Sequence, residues 1–269
     1  MNPPSQIDSP QNPSVKAVVR LRRRRRREPS ASILIDGGRA LALALDRGIG
    51  LTHLYLCPDQ ATDAERKVAA RAAQNGTAIT HVAPAAFAKM AYGGMPDALV
   101  AVARRPNTAL DMLPEGDTPP LLLIVDRVEK PGNLGALLRT ADAAGVDGVI
   151  LSDSVGDPFG PNTVRASRGT CFTVPVAEAG ADDVVRWLTD HGIRPVTATP
   201  EATTPYTGAD LTGPVAIVVG SEHSGLSERW RQGDVTPVSI PMRGAADSLN
   251  VSVASAVMLF EAARQRSAG

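Results

Sequence analysis

The second half of the chain alternates short apolar segments with segments of helical character. Residues 120–128 (PLLLIVDRV) and 214–220 (PVAIVVG) are continuous apolar runs, and residues 133–145 and 181–192 between them are patterned as helices. Strands that alternate with helices at this spacing predict a parallel sheet covered by helices. Ligands of such sheets bind beyond the carboxyl ends of the strands. The residues that follow each strand are therefore the first candidates for a functional site.

The composition agrees with this α/β fold class. Hydrophobic residues make up 43% of the 269 residues, but aromatic residues only 3%, so the core must consist of Ala, Val, Leu and Ile. Such cores are typical of parallel strands covered by helices. We expect a disordered segment at 1–13, which is rich in Pro, Asn, Gln and Ser. A small α/β domain at 14–105, a polar linker at 106–119 and the larger domain at 120–269 follow.

Several classes of protein are poor fits to this sequence. Cys57 and Cys171 belong to no CxxC pair or Cys/His cluster, which argues against a disulfide framework and against a zinc site. No apolar stretch reaches the length of a membrane span. The first residues lack the apolar segment of a signal peptide. We therefore expect a soluble cytoplasmic protein without a bound metal and without a membrane partner.

Three polar, glycine-containing clusters follow strands of the second half. Asn133 and Arg139 lie in the segment after strand 120–128, and Gly220 and Glu222 come directly after strand 214–220. The glycine spacing around Asn133 matches neither a dinucleotide-binding fingerprint nor a phosphate-binding loop. Taken singly, Asn133 could cap a helix, Arg139 could be solvated, and Glu222 could lie near a helix N-terminus.

The third cluster lies in residues 239–259 (SIPMRGAADSLNVSVASAVML), where a strand gives way to a loop and then to an apolar helix. Ser248 and Asn250 stand where the loop becomes the helix, a position at which short polar side chains often cap. The recurrence of one pattern after three strands favours a single shared site over three separate caps.

Together the three clusters resemble the sequence motifs of the SpoU (TrmH-type) RNA ribose 2′-O-methyltransferases. The motif N-x-G-x-x-x-R-T is matched by residues 133–140, G-S-E-x-x-G by residues 220–225, and I-P-M followed by S-L-N-V-S-x-A by residues 240–242 and 248–254. Each motif alone is weak, but the ordered set is specific. The first half is similar to the small substrate-binding domain that many members of this family carry.

The resemblance implies a fold, a cofactor and a set of residue roles. It implies a parallel sheet threaded into a trefoil knot, a homodimer, and S-adenosylmethionine as the methyl donor. The cofactor-binding residues would be Thr199, Gly220, Ile240, Met242 and Leu249. The catalytic residues would be Asn133, Arg139, Glu222, Ser248 and Asn250. Ser248 and Asn250 would both cap the last helix and face the cofactor or the RNA.

The role of Arg139 needs a physical argument. Accounts of the family often make the equivalent arginine a general base, but a guanidinium resists deprotonation in proteins. A ribose hydroxyl is a weak nucleophile, so orientation and charge stabilisation matter most. We expect Arg139 to hold the 2′-oxygen and the neighbouring phosphate, and to be oriented by the hydrogen bonds that it donates to Asn133 and Glu222.

An unbroken run of six arginines precedes residues 31–36 (ASILID), a segment that is patterned as a strand. Consecutive like charges repel one another, and contact with polyanionic RNA would relieve that repulsion and add salt-dependent affinity. The expected RNA-binding residues are Arg22, Arg23, Arg24, Arg25, Arg26, Arg27, Arg39, Arg165 and Arg168.

The layout resembles the ribosomal RNA members of the family, so the expected substrate is one nucleotide of ribosomal RNA, most simply 23S, with a possible role in antibiotic resistance. Two alternatives stay open. One is a tRNA 2′-O-methyltransferase, although compact tRNA members often lack the separate first domain. The other is a non-catalytic RNA-binding or ribosome-assembly protein that has kept the fold.

Overall fold

A computed structural model describes residues 5–23, 31–92, 97–114 and 116–267. The chain divides into two compact units. The first unit contains Met1–Pro106 and Phe159–Thr173, and the second contains Asn107–Pro158 and Val174–Gly269. The segment 159–173 thus belongs to the first unit, although the sequence assigns it to the larger domain at 120–269.

The described residues contain eleven strands and nine α-helices. The strands are β1 Ser5–Ile7, β2 Ser32–Asp36, β3 Leu51–Leu56, β4 Ile79–Val82, β5 Leu99–Arg104, β6 Leu121–Asp126, β7 Gly148–Ser152, β8 Val176–Ala179, β9 Arg194–Ala198, β10 Val215–Val219 and β11 Thr236–Val238. The helices are α1 Pro13–Arg20, α2 Gly38–Asp46, α3 Asp63–Gln74, α4 Pro84–Met90, α5 Pro131–Ala144, α6 Pro161–Ala166, α7 Ala181–Asp190, α8 Glu228–Gln232 and α9 Val251–Ser267.

The first unit is built on a five-stranded sheet of order β1-β4-β3-β5-β2. The sheet is mixed, because β5 runs antiparallel to both β2 and β3. Helix α3 begins with a capping box, in which Thr62 and Glu65 each bond the other's backbone N–H group. This small α/β unit carries its own core, to which Leu34, Phe87 and Met90 contribute fully buried side chains.

The expectation of disorder over residues 1–13 is wrong for residues 5–13. Ser5–Ile7 pairs in parallel with β4, and Ile7 is buried in the core of the first unit. Asn12 then caps α1, because its side chain accepts a hydrogen bond from the backbone N–H of Ser14. The burial of Ile7 and the cap at Asn12 hold this segment in place despite its polar, proline-rich composition. Residues 1–4 lie outside the described residues.

The second unit confirms the predicted parallel sheet. Its six strands are all parallel, in the order β11-β9-β10-β6-β7-β8. The central pair, β6 and β10, is buried along its whole length, which explains why both strands are continuous apolar runs. Val125 and Val219 are register partners at the end of this pair. The loops that follow β6 and β10 therefore begin side by side.

Two segments whose residues favour strands form shorter strands in the structure. The segment 172–176 (FTVPV) contributes only Val176 to β8, because Thr170–Phe172 forms a 3-10 helix after Gly169, whose φ is 89°. The segment 235–242 (VTPVSIPM) is a strand only over Thr236–Val238, and residues after it line the cleft described below. Among the described helices, none combines the length and the apolar character needed to cross a membrane.

Candidate active site

The three motif clusters of the second unit meet at the carboxyl edge of its sheet. The Asn133 side-chain amide donates a hydrogen bond to Glu222 Oε1. Asn250 Nδ2 donates to the same oxygen at 2.7 Å and lies 3.4 Å from Asn133 Oδ1. Asn133 and Asn250 thus share one carboxylate oxygen of Glu222, although they lie 89 and 28 positions from it in the sequence. We call Asn133, Glu222 and Asn250 the amide–carboxylate triad.

Each member of the triad is placed by a different element. Asn133 is the third residue of α5, whose N-cap position is Lys130, so Asn133 is not the helix cap. Glu222 lies in the loop after β10. Further along this loop, the Ser227 backbone N–H donates a hydrogen bond to Asp126 Oδ2, at the end of β6, at 2.6 Å.

Asn250 caps the start of α9, as expected. Its Oδ1 accepts hydrogen bonds from the Ser252 backbone N–H at 3.0 Å and from Ser252 Oγ at 2.6 Å, which is a capping interaction. Its Nδ2 is then directed toward Glu222. Ser248 lines the neighbouring cleft, but it makes no hydrogen bond with another described residue, so it does not cap α9.

Lys130 belongs to the same group and was not predicted from the sequence. Lys130 Nζ lies 2.9 Å from Glu222 Oε2, and its side chain is 76% exposed. The two oxygens of Glu222 are therefore divided between a cation and two amides. A lysine directly before Pro131 at a helix start was the available signal, but such a residue is ordinarily a solvated charge.

The structure contradicts the expected contacts of Arg139. This residue is exposed on α5 and makes no hydrogen bond or ion pair with another described residue of the chain. It follows Asn133 by six positions, a rotation of about 240° around a helix, so the two side chains leave α5 on different faces. Asn133 and Glu222 orient each other and Asn250 instead.

A large open cleft lies beside the triad. Its volume is about 1130 Å³, slightly above the roughly 300–1,000 Å³ range of small-molecule sites. All five residues predicted to bind the cofactor line it: Thr199, Gly220, Ile240, Met242 and Leu249. Glu222, Ser248 and Asn250 line it as well. The structure therefore brings the predicted cofactor residues and most of the predicted catalytic residues together.

Gly220 must be a glycine because its own loop leaves no room for a side chain. A Cβ atom at this position would lie 2.3 Å from the carbonyl carbon of Gly225 and 2.3 Å from the backbone nitrogen of Leu226. The missing side chain lets the loop after β10 fold back on itself, where Ser221 and Gly225 exchange two backbone hydrogen bonds. Gly220 thus permits the loop conformation that forms part of the cleft wall.

The cleft combines an apolar wall with charged groups. Ile240, Met242 and Leu249 contribute apolar surface, whereas Lys130 and Glu201 contribute charge. The Thr199 hydroxyl donates to Glu201, and this hydrogen bond lowers the pKa of the Glu201 carboxyl, which keeps it ionised. A ligand with an aromatic ring, hydroxyl groups and charges of both signs fits these donors and surfaces.

The arginines predicted to bind RNA lie in the first unit where they are described. Arg23, Arg39, Arg165 and Arg168 are exposed. Gly169 packs so closely on α2 that a Cβ would lie 2.7 Å from the Ala40 Cα, which brings Arg168 and Arg39 to the same region. The structure thus collects basic residues from distant parts of the chain.

Two of these arginines also bond within the first unit. Arg165 Nη1 donates to the Tyr92 carbonyl oxygen at 3.0 Å. Arg22 likewise has a structural role. Its Nη2 donates to the carbonyl oxygens of Lys89 at 2.6 Å and Ala91 at 2.7 Å, at the end of α4. Its guanidinium also lies 5.4 Å from the centre of the Tyr92 ring. The remaining arginines of the run, residues 24–27, lie outside the described residues. Across the described ranges, no group of His, Cys, Asp and Glu side chains could hold a metal ion.

Comparison with known families agrees with this geometry. The SpoU rRNA Methylase family matches residues 120–260, more than half of the chain. The chain belongs to the SpoU rRNA methylase family. An MRM3-like substrate binding domain matches residues 12–101, within the first unit.

Individual SpoU relatives match the chain to different extents. A 23S rRNA (guanosine-2′-O-)-methyltransferase of Ralstonia nicotianae is 42% identical over 160 residues, which cover 59% of this chain and 64% of that relative, less than two thirds of its length. A 23S rRNA (uridine(2479)-2′-O)-methyltransferase of Streptomyces viridochromogenes is 31% identical over 258 residues, covering 91% and 87% of the two chains.

A solved SpoU-type structure extends the similarity to both units. The structure of an S-adenosylmethionine-bound rRNA methyltransferase from Sinorhizobium meliloti has a TM-score of 0.87 and 32% identity over 97% of each chain. The family identified from three short motifs is thus confirmed, together with its α/β fold.

Proposed function

We propose that this protein transfers a methyl group from S-adenosylmethionine to the 2′-oxygen of one nucleotide in 23S ribosomal RNA. The observation that carries the proposal is the amide–carboxylate triad at the edge of the cleft, because it joins all three SpoU motifs at a single place. The names of the relatives support 23S RNA as the substrate, since both the Ralstonia and the Streptomyces proteins are described as acting on it.

The chemistry requires a nucleophile, a methyl donor and a destination for one proton. The cofactor supplies a methyl group on a positively charged sulfur. The ribose 2′-oxygen would form a bond to the methyl carbon as the carbon–sulfur bond breaks, which leaves the sulfur as a neutral thioether, and the hydroxyl proton would pass to solvent water. The residues of this chain then have two tasks, which are to hold the hydroxyl in line with the methyl group and to stabilise charge that develops on its oxygen.

The triad suits the first task. Asn133 and Asn250 are both held on Glu222 Oε1, and Lys130 balances the charge at Oε2. This network fixes the amides on the edge of the cleft before substrate arrives. Preorganised polar groups need no rearrangement during the reaction, so they favour the transition state.

We assign the second task to Arg139 of a second subunit in a homodimer. Two observations support this assignment. First, Arg139 is not oriented by the triad of its own chain. Second, α9 packs on α5 and leaves the side chains of Val253 and Phe260 47% and 52% exposed. These apolar residues are seven positions apart and share one face of α9. A second copy that covers this face would bury them and bring its own Arg139 close to α5 and α9. The trefoil knot stays a prediction from the resemblance.

The first unit would bind RNA through its exposed arginines. Arg23, Arg39, Arg165 and Arg168 lie on this unit, which also matches a substrate-binding domain. Arginine contacts to phosphates supply affinity that falls as salt rises, but little sequence specificity. A ribosomal RNA substrate would place the enzyme in the cytoplasm.

Transfer of label from radioactive S-adenosylmethionine tests the proposal directly. Unmodified bacterial ribosomal RNA and bulk tRNA would be assayed separately, and the label mapped by resistance to alkaline hydrolysis, which needs a free 2′-hydroxyl. We expect alkali-resistant label at one nucleotide of 23S RNA. Label in tRNA alone would make the protein a tRNA 2′-O-methyltransferase. Absence of both methylation and cofactor binding would favour a non-catalytic RNA-binding protein.

The resistance role implied by the resemblance needs a separate test. Cells that express the protein would be compared with cells that express its Glu222→Gln variant for growth in ribosome-targeting antibiotics. A rise in the inhibitory concentration with the active protein alone would establish the role.

A further inference from the structure

Glu201 is a charged residue of the cleft that neither the motifs nor the triad accounts for. It lies three residues beyond the end of β9 and is exposed on the cleft wall. The Thr199 hydroxyl holds its Oε2. The nearby Arg231 guanidinium also favours its charged form, and Arg231 is itself held by a hydrogen bond of 2.9 Å to the Ser224 carbonyl oxygen. An ionised carboxylate is thus held in place within the cleft, with one oxygen left to accept a ligand.

The order of the strands locates this carboxylate within the cleft. Along the sheet edge, β6 is followed by β10, β9 and β11. Lys130 follows β6, Glu222 follows β10, Glu201 follows β9, and Ile240 and Met242 follow β11. Neighbouring strands are about 5 Å apart. Glu201 therefore stands about one strand spacing from the loop of Glu222 and between that loop and the apolar wall.

The parts of S-adenosylmethionine are joined in an order that can follow the order of the strands along the sheet edge. Its sulfonium joins the methionine portion to the ribose, and the adenine is attached to the far side of the ribose. The reacting methyl group must lie near the triad, and the adenine suits the apolar surface beyond β11. The ribose then comes to the strand between them, which is β9. A carboxylate suits a ribose, because its oxygens accept hydrogen bonds from neighbouring hydroxyl groups.

We propose that Glu201 accepts hydrogen bonds from the ribose hydroxyl groups of S-adenosylmethionine, so that it is a cofactor-binding residue of this protein. This inference rests on the proposed function, since it presupposes the cofactor. It also gives Thr199 a definite role, which is to orient Glu201. The Lys130 ammonium, at the opposite end of the cleft, is then available to the cofactor carboxylate.

The main rival is a contact between Glu201 and the amino group of the methionine portion, because a carboxylate also suits an ammonium. The two contacts predict different behaviour with 5′-methylthioadenosine, which has the adenine, the ribose and the sulfur but lacks the amino acid portion. A ribose contact is retained with this molecule, whereas an amino contact is lost.

The experiment is titration calorimetry on the full chain with S-adenosylmethionine, 5′-methylthioadenosine and its 3′-deoxy analogue. The variants are Glu201→Ala and Glu201→Gln, with Thr199→Val as a milder change. Glu228→Gln is the matched control, because this exposed carboxylate bonds Gln232 and does not line the cleft. Melting curves would verify that each variant is folded.

We expect Glu201→Ala to weaken binding of S-adenosylmethionine and 5′-methylthioadenosine by about tenfold or more, since a hydrogen bond to a charged group is lost. Glu201→Gln should weaken binding less, and Glu228→Gln should not change it. The wild type should discriminate against the 3′-deoxy analogue, and Glu201→Ala should lose most of that discrimination.

Three outcomes would overturn the proposal. Weaker binding of S-adenosylmethionine with unchanged binding of 5′-methylthioadenosine would assign Glu201 to the amino group. Unchanged binding of both would remove Glu201 from the site while leaving the proposed function intact. Failure of the wild type to bind any of the three molecules would instead reject the proposed function and this inference with it.

Discussion

Asn250 Nδ2 donates a hydrogen bond to Glu222 Oε1 at 2.7 Å, while the oxygen of the same Asn250 amide accepts the backbone N–H of Ser252 at 3.0 Å. The two ends of one amide therefore have different partners, a helix start on one side and a carboxylate on the other. Because the helix fixes the oxygen, the NH2 group has to point at Glu222. The capping interaction is thus what orients the functional interaction.

Asn250→Asp separates these two roles. Aspartate caps a helix about as well as asparagine, so the melting temperature should change little. Its second oxygen would face the Glu222 carboxylate where an NH2 group now donates, and we expect methyl transfer to fall by about a hundredfold, within the usual range for removing one preorganised donor. Steady-state kinetics with ribosomal RNA and a melting curve measure both effects. A near-normal rate would remove the Asn250–Glu222 contact from the mechanism.

A subunit-mixing experiment tests the assignment of Arg139 to the partner's site. Arg139→Ala and Glu222→Gln should each be almost inactive alone. If each site takes Arg139 from one chain and Glu222 from the other, a mixed dimer contains one intact site and one doubly altered site. An equal mixture that has exchanged subunits should then recover about a quarter of wild-type activity, because half of its dimers are mixed. No recovery, despite exchange seen by native mass spectrometry, would place both residues in one chain's site.

Gly220→Ala should damage the cleft through the backbone. The added Cβ would lie 2.3 Å from backbone atoms of Gly225 and Leu226, which cannot be relieved by rotating a side chain. We expect a loss of about 1–3 kcal/mol in the free energy of unfolding, as for other overpacked positions, and weaker cofactor binding. Gly213→Ala is the control, because a Cβ there meets nothing within 4 Å. Urea denaturation of the two variants makes the comparison, and equal stabilities would refute the steric explanation.

Asp36 should make the stability of the first unit depend on pH. Burial raises the pKa of its carboxyl to about 6, although the hydrogen bond from the Tyr92 N–H works in the opposite direction. A raised pKa means that the folded chain holds this proton more tightly than the unfolded chain, whose Asp titrates near pH 4. The free energy of unfolding should therefore fall as pH rises from about 4 to 6.

Asp36→Asn removes this titration and keeps an oxygen for Tyr92. The difference in unfolding free energy between the variant and the wild type, measured by urea denaturation at several pH values, should grow in favour of the variant as pH rises through that window. Exchange of Asp46, an exposed residue paired with Arg71 at 2.6 Å, for Asn is the control for the same substitution at the surface. A constant difference for Asp36→Asn would show that its pKa is ordinary.

The exposed arginines of the first unit should govern the salt dependence of RNA binding. Each arginine that contacts a phosphate contributes about one unit to the slope of log affinity against log salt. The double variant Arg39→Ala/Arg168→Ala should therefore bind ribosomal RNA more weakly and with a shallower slope, while cofactor binding stays unchanged. Arg186→Ala, which alters an exposed arginine of the second unit paired with Asp183, should leave the slope unchanged. An unaltered slope in the double variant would place the RNA contact elsewhere.

The central strands of the second unit can be predicted closely from the amino-acid sequence. The apolar runs that predict β6 and β10 lie within one or two residues of the observed strands, because burial on both faces requires continuous apolar side chains. The sequence also predicts that Asn133, Glu222 and Asn250 lie close together, although it does not reveal Lys130. In a parallel sheet every strand ends at the same edge, so the residues that follow the strands converge whatever the details of the loops.

The hydrogen-bond and ion-pair partners of those residues depend on the tertiary structure. The sequence assigned Asn133 and Glu222 to Arg139, but the rotation of α5 turns Arg139 away, and Lys130 and Asn250 bond Glu222 in its place. Arg22, expected on RNA, instead holds the end of α4, 67 residues away. The physical reason is the same in each case. Periodicity and capping are local and can be read along the chain, whereas a hydrogen-bond partner depends on distances between segments that are remote in sequence and meet only when the sheet forms.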